Sequence, residues 1–192
     1  MDYKGDKYYI DMILMGEKDV YGVLVDRYRD KVFSLAHKIC GTYEDAEEAA
    51  QDSFVKAFKS LGSFKYGSSF PTWLYRITYN TSITYVRKKK RSVVSFEDIH
   101  EDAAMLERHH SIDENTFGDE RWLQLNLAIQ KLSETDRALI SMYYYQELSI
   151  DEISKITGIG KSNLKIRLFR ARKKIEDIIT HHGKEKVYFA AI

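Results

Sequence analysis

An all-α fold, built as two small helical domains joined by an acidic flexible linker, is predicted by three features of this 192-residue chain. Apolar residues recur at helical spacing from Val20 to Arg91. A second helical block carries a helix-turn-helix pattern over Ser149 to Lys174. Between the blocks, Ser92 to Glu120 holds nine acidic residues, three histidines and one arginine, a composition that cannot bury enough apolar surface to order by itself. The expected division is an N-terminal segment (1–18), a first domain (19–91), the linker (92–120), a second domain (121–182) and a tail (183–192) that ends in VYFAAI.

The first block divides into three helices at turn signals, Gly41-Thr42 and Gly62 to Ser69. Val23, Leu24, Tyr28, Val32, Leu35 and Ile39 form the inward stripe of the first. The second, roughly Tyr43 to Leu61, turns Ala46, Ala50, Phe54, Ala57, Phe58 and Leu61 inward and presents Glu44, Glu48, Gln51, Asp52 and Val55 on its opposite face. An acidic stripe with one apolar residue set in it fits plain solvation or a docking face, and the helix alone does not choose. The third helix begins near Pro71, the only proline, tolerated in a first turn where its missing N–H is no loss. It runs through Trp73, Leu74, Ile77 and Asn80 into the basic run Arg87 to Arg91.

The loop before that helix, Gly62 to Phe70, combines glycine and serine with three aromatic rings and Lys65. Such a loop can hold an unstacked base against a ring while nearby cations hold the backbone. The competing reading makes Phe64, Phe70 and Trp73 core anchors of an ordinary loop, and for Phe70 and Trp73 that reading is adopted.

Ser149 and Glu152 have capping-box spacing at the start of the helix-turn-helix. Ile150, Ile153 and Ile156 follow as an apolar stripe, Gly158 stands where the chain must leave the helix with positive φ, and Ile159 can plug the space between the helices. In the second helix Leu164, Leu168, Ala171 and Ile175 share an inward stripe. Ser162, Lys165, Ile166, Phe169, Arg170 and Lys173 then face outward, on a helix that carries seven Lys or Arg residues. Such a face suits a DNA groove: most cations meet phosphates, Lys165 and Arg170 reach base edges, and Phe169 can pack on a thymine methyl.

Composition narrows the classes. The net charge of +1 hides basic and acidic segments that are kept apart. Cys40 is the only cysteine, which excludes a disulfide framework and a Cys-based zinc site, and the adjacent pairs His109-His110 and His181-His182 lack the spacing of ligands on one helix face. No apolar run is long enough to span a bilayer and no signal-peptide pattern is present, so a cytoplasmic protein is expected, without membrane insertion. With no activated nucleophile, paired carboxylates or phosphate-cradling glycine loop in view, neither an enzyme nor a cofactor is expected.

Three motifs, Asp45-Ala-Glu-Glu-Ala-Ala-Gln-Asp-Ser-Phe54, Trp73-Leu-Tyr-Arg-Ile-Thr-Tyr-Asn80 and Leu164-Lys-Ile-Arg-Leu-Phe-Arg-Ala-Arg172, in this order and spacing, resemble the extracytoplasmic-function group of bacterial sigma factors over about residues 10 to 180. The resemblance implies a region 2 helical bundle and a region 4 helix-turn-helix. It implies core RNA polymerase as partner, through its β′ clamp and β flap, together with promoter DNA and an anti-sigma protein, for a chain that is monomeric when free. Asp45, Glu48, Gln51 and Asp52 would form the polymerase-binding face. Phe64, Lys65 and Asn80 would capture a base flipped from the −10 element, with Arg76, Arg87, Lys88 and Arg91 on adjoining phosphates. Lys161, Ser162, Lys165, Ile166, Phe169, Arg170 and Lys173 would face the −35 element. Thr84 stands where many relatives have Asp, and Ile166, where a small polar residue is usual, cannot donate a hydrogen bond. A different class also fits the helix-turn-helix: an autonomous repressor or activator that binds a palindrome as a dimer, with the acidic helix and aromatic loop purely structural.

Overall fold

The computed structural model describes residues 4–94 and 119–182, and side chains over 4–90 and 122–180; the linker, apart from its helical ends, and the tail lie outside the described residues. Among the described residues eight α-helices follow one another, α1 (Asp6–Leu14), α2 (Tyr21–Cys40), α3 (Tyr43–Ser60), α4 (Phe70–Val94), α5 (Asp119–Gln130), α6 (Glu134–Ile140), α7 (Ile150–Thr157) and α8 (Lys161–His182). There is no strand among the described residues, so the all-α expectation holds. No helix among them is long and apolar enough to cross a membrane.

The first three-helix core is set by side-chain size. In α2, Leu24, Tyr28, Val32, Leu35, Ala36 and Ile39 are buried, and Gly41 ends the helix at φ 89°. Val23, expected on this stripe, is exposed, because at 100° per residue Leu24 takes the inward position and rotates its neighbour out. Thr42 caps α3 by accepting the Asp45 N–H. The buried face of α3 is made of Ala46, Ala49, Ala50, Ser53 and Ala57, small residues that let α2 and α4 approach closely. Ser53 satisfies its hydroxyl on the Ala49 carbonyl at 2.6 Å. Phe54 and Phe58, expected inside, pack at the edge of this core. The Ser69 hydroxyl accepts the Thr72 N–H at the start of α4, which leaves Pro71 in the first turn as expected.

The N-terminal segment, given no element in the sequence reading, contains α1. Ile10 and Ile13 are buried, and Asp6 accepts from the Tyr28 hydroxyl at 2.6 Å and from Arg27. A helix of nine residues is marginal without such tertiary support.

In the second half, α5 and α6 pack on α8, and a π-turn at Ser141–Tyr145 leads from α6 to α7. The two halves also dock on each other, α6 against α2 and α7 against α4, so a continuous buried cluster runs through both.

Candidate nucleic-acid interface

Each signal read from the helix-turn-helix has its structural counterpart. The Glu152 N–H donates to Ser149 Oγ at 3.3 Å and the Ser149 N–H to Glu152 Oε2 at 3.0 Å, the reciprocal capping box. The Ser149 hydroxyl, donating to Glu152 Oε2 at 2.7 Å, and then the Ser149 N–H hold the Glu152 carboxyl below its ordinary value. Gly158 turns the chain at φ 74°, and its N–H donates to the Ser154 carbonyl at 2.9 Å. The turn is then closed by side chains: Ser154 Oγ donates to the Ile159 carbonyl at 2.8 Å, and Thr157 Oγ1 accepts from the Ile159 N–H at 3.2 Å. Ile150 is only half-buried, while Ile153 and Ile156 are buried.

Leu164, Leu168, Ala171, Ile175 and Ile179 of α8 are buried, which fixes the rotation of the helix. Lys161, Ser162, Lys165, Ile166, Phe169, Arg170 and Lys173 are all exposed on it. Ile166 and Phe169 are 50% and 61% exposed, so two large apolar side chains lie together among the cations of this face. Lys161 is paired with Asp151 of α7 at 2.8 Å. Arg167 plays a different part. It is half-buried and donates from Nε and Nη2 to Asp136 of α6 at 2.9 and 2.8 Å, so it braces α8. The 31-residue separation left no local signal for that pair.

In the first half the aromatic loop departs from expectation. Phe64 is 7% exposed and packs against Trp73 at 5.2 Å and Phe70 at 5.9 Å between ring centroids. Its ring is therefore an interior one, as expected for Phe70 and Trp73, because the loop is too short to seal itself without an apolar plug. Lys65 and Tyr66, with Ser63 and Ser69, are the loop side chains turned to solvent. Arg76, Asn80 and Arg87 are exposed along α4 at spacings of four and seven, which places them on one face, with Lys88 exposed beside them. The side chain of Arg91 lies outside the described residues. Two more cations of this run are tied down: Lys89 bridges Asp45 at 2.6 Å, and Lys90 bridges Glu134 of α6.

Glu48, Gln51, Asp52 and the apolar Val55 are exposed together on α3. Asp45, expected among them, is largely covered by its pair with Lys89. Glu48 accepts from the Tyr85 hydroxyl, and Asp52 pairs with Lys56 one turn on at 2.9 Å. The positive end of α4 thus leans on the negative start of α3. A cleft beside α8, lined by Leu125, Ile129, Ile140, Tyr144 and Ile175, is almost wholly apolar.

The Sigma-70 region 2 family model matches residues 24–92, and the Sigma-70 region 4 model matches residues 122–175. The ECF RNA polymerase sigma-E factor of Salmonella typhimurium is 31% identical over 90% of this chain and 93% of its own. The ECF RNA polymerase sigma factor SigW of Bacillus subtilis is 29% identical over 85% of this chain and 91% of its own. Among solved structures, CnrH in complex with the cytosolic domain of CnrY superposes with a TM-score of 0.68 at 19% identity, covering 94% of this chain and all of that one. The sigma factor RpoE of Bartonella quintana, in complex with the anti-sigma factor NepR, gives 0.66 at 22% identity, covering 83% and 96%.

Proposed function

The chain belongs to the extracytoplasmic-function sigma factors of bacterial RNA polymerase, and from that membership we propose how its surfaces divide the work of promoter recognition. The first domain, 19–91, grips core polymerase and opens the −10 element. The second, 121–182, reads the −35 element, and 92–120 tethers them. The observation that carries this reading is the face of α8, where cations alternate with two exposed apolar side chains while the opposite stripe is locked into the core.

Placed in a major groove, Lys165 and Arg170 reach base edges, Phe169 and Ile166 meet thymine methyls, and Lys161, Ser162 and Lys173 hold phosphates. Ile166 cannot read a base by hydrogen bonding, so it selects by fit. On α3, Glu48, Gln51 and Asp52 form the accessible part of the β′-clamp surface, with Val55 as its apolar centre; Asp45 joins them when Lys89 is drawn away. The β flap falls to the second domain. Lys65, Arg76, Asn80, Arg87, Lys88 and Arg91 serve the −10 strand, capturing an unstacked base and offsetting the few kcal/mol lost on unstacking. An anti-sigma protein that covers these surfaces is the regulator this reading calls for. The protein acts in the cytoplasm with the polymerase, which owns the chemistry, and needs no cofactor.

The test mixes the purified chain with core polymerase and genomic promoter fragments and follows transcript initiation. Initiation that needs both proteins supports the reading. Tight binding to a palindrome without polymerase would overturn it in favour of an autonomous repressor.

A further inference from the structure

The −10 loop presents one ring to solvent, and it is not the one its sequence pattern favours. Tyr66 is 43% exposed, while Phe64 is sealed beneath it with ring centroids 4.8 Å apart. Tyr66 also stands at φ 56°; among the described residues only Glu147 shares this left-handed backbone without being glycine. Glycine would adopt that conformation freely, and Gly67 follows immediately, so the loop holds a strained residue where an unstrained one was available. That backbone cost is offset by contacts that hold a ring at this point of the surface.

That ring is fixed from outside the loop. Its hydroxyl donates to Asp11 Oδ1 at 2.7 Å, and the Lys7 ammonium lies 4.9 Å from its centroid while also pairing with Asp11 at 2.7 Å. Lys7 and Asp11 belong to α1, which is itself anchored by buried Ile10 and Ile13 and by Asp6 against Arg27 and Tyr28. Leu14, at the far end of α1, packs 4.0 Å from the position a Cβ would take on Gly62, where the loop begins. The N-terminal helix is thus a fixed post beside the loop, and two of its polar side chains, Lys7 and Asp11, meet at one exposed tyrosine.

We propose that Tyr66 is the platform on which an unstacked −10 base rests, that Asp11 is a positioning residue holding its ring, and that Lys7 moves from the ring to the adjoining phosphate when the base arrives. Aromatic stacking suits this task because every base has a π-face and the ring is already ordered. Lys7, long and well exposed, can leave the ring at little cost. The proposal rests on the −10 reading of the loop given above and adds the residue and the helix that carry it.

The experiment uses the full chain with core polymerase and fork-junction promoter DNA carrying 2-aminopurine at successive non-template −10 positions. Tyr66→Ala should lower the unstacking signal about tenfold, the size of one lost stacked base, with affinity for core polymerase and for −35 duplex unchanged. Tyr66→Gly is the sharper variant, because it relieves the backbone strain and should fold with heat stability within a few degrees of the parent while unstacking as poorly as Tyr66→Ala. Asp11→Ala should give an intermediate loss that disappears in a Tyr66→Ala background. Tyr66→Gly unstacking the base as well as the parent would overturn the proposal. A parent chain that gives no unstacking signal at any position would overturn the −10 reading itself.

Discussion

Arg137 of α6 caps the carboxyl end of α2, its Nη2 donating to the Ile39 carbonyl at 2.8 Å across the junction of the two halves. The last carbonyls of a helix have no partner within it and carry the negative end of its dipole, so a guanidinium there gains both a hydrogen bond and a favourable charge. Gly41 follows at φ 89°, a backbone conformation that favours glycine, and a Cβ built there would make only ordinary contact, 3.9 Å from Arg137 Nη1. Other bonds run parallel across the junction, Lys38 to Asn126 at 2.8 Å and Gln146 to the Lys31 carbonyl at 3.3 Å.

Arg137→Ala should therefore weaken the docking of the halves by about 1.5–3 kcal/mol, the range for a charge-assisted hydrogen bond. Small-angle scattering should report a larger radius of gyration at unchanged helix content by circular dichroism. An unchanged radius would assign the docking to apolar contact between α4 and α7 instead.

On α8, Lys165→Ala and Arg170→Ala should each cost about 1–3 kcal/mol at the −35 element if these side chains read bases. Binding is compared on native and scrambled duplex at one fixed salt concentration, because phosphate contacts make every affinity salt-dependent. Equal losses on both duplexes would reduce the two residues to phosphate contacts. Arg167→Ala should behave differently. Its partner Asp136 is left half-buried without its bidentate donor, so the loss appears first in thermal stability and only then in DNA binding.

For the acidic face of α3, Asp52→Ala and Gln51→Ala should each weaken core polymerase binding by about 1 kcal/mol, the threshold of a contributing interface contact. Lys89→Ala tests whether Asp45 is held back. Removing its 2.6 Å partner frees the carboxylate, so polymerase binding should strengthen or stay level. A clear loss on Lys89→Ala would mean that the lysine itself touches the polymerase or that Asp45 serves only the helix pair.

What was legible in the sequence was what local chemistry decides. The Ser149–Glu152 box, the turn at Gly158 and the rotation of α8 all depend on residues within about two turns of one another, where spacing alone carries the information. What was illegible depends on distant partners. Periodicity cannot tell Arg167 from Arg170, because the difference is an aspartate 31 residues away. Nor can it rank Phe64 above Tyr66 for burial, since that is settled by Trp73 and Phe70 packing on one ring while Asp11 of α1 holds the other at the surface. Helix α1 is illegible for the same reason, since its order comes from burying Ile10 and Ile13 in the bundle and from the bonds of Asp6 to Arg27 and Tyr28.

The capping box makes a stability prediction with a sign. Ser149→Ala removes the acceptor for the Glu152 N–H and should destabilise the helix-turn-helix by about 1 kcal/mol. Glu152 is held below its ordinary value of 4.5, first by the Ser149 hydroxyl and then by the Ser149 N–H. A carboxyl whose value is lower in the folded state contributes stability that is complete above its unfolded value and is lost as pH falls through the folded one. Thermal melts taken from neutral pH down past 4.5 should therefore show the parent losing stability in acid, and Glu152→Gln starting lower and losing less. Because Glu152 also accepts from Thr72 of α4 at 3.4 Å, acid should loosen the docked halves in the same window. Parallel melting curves for parent and Glu152→Gln would show that the carboxylate charge adds nothing to the cap.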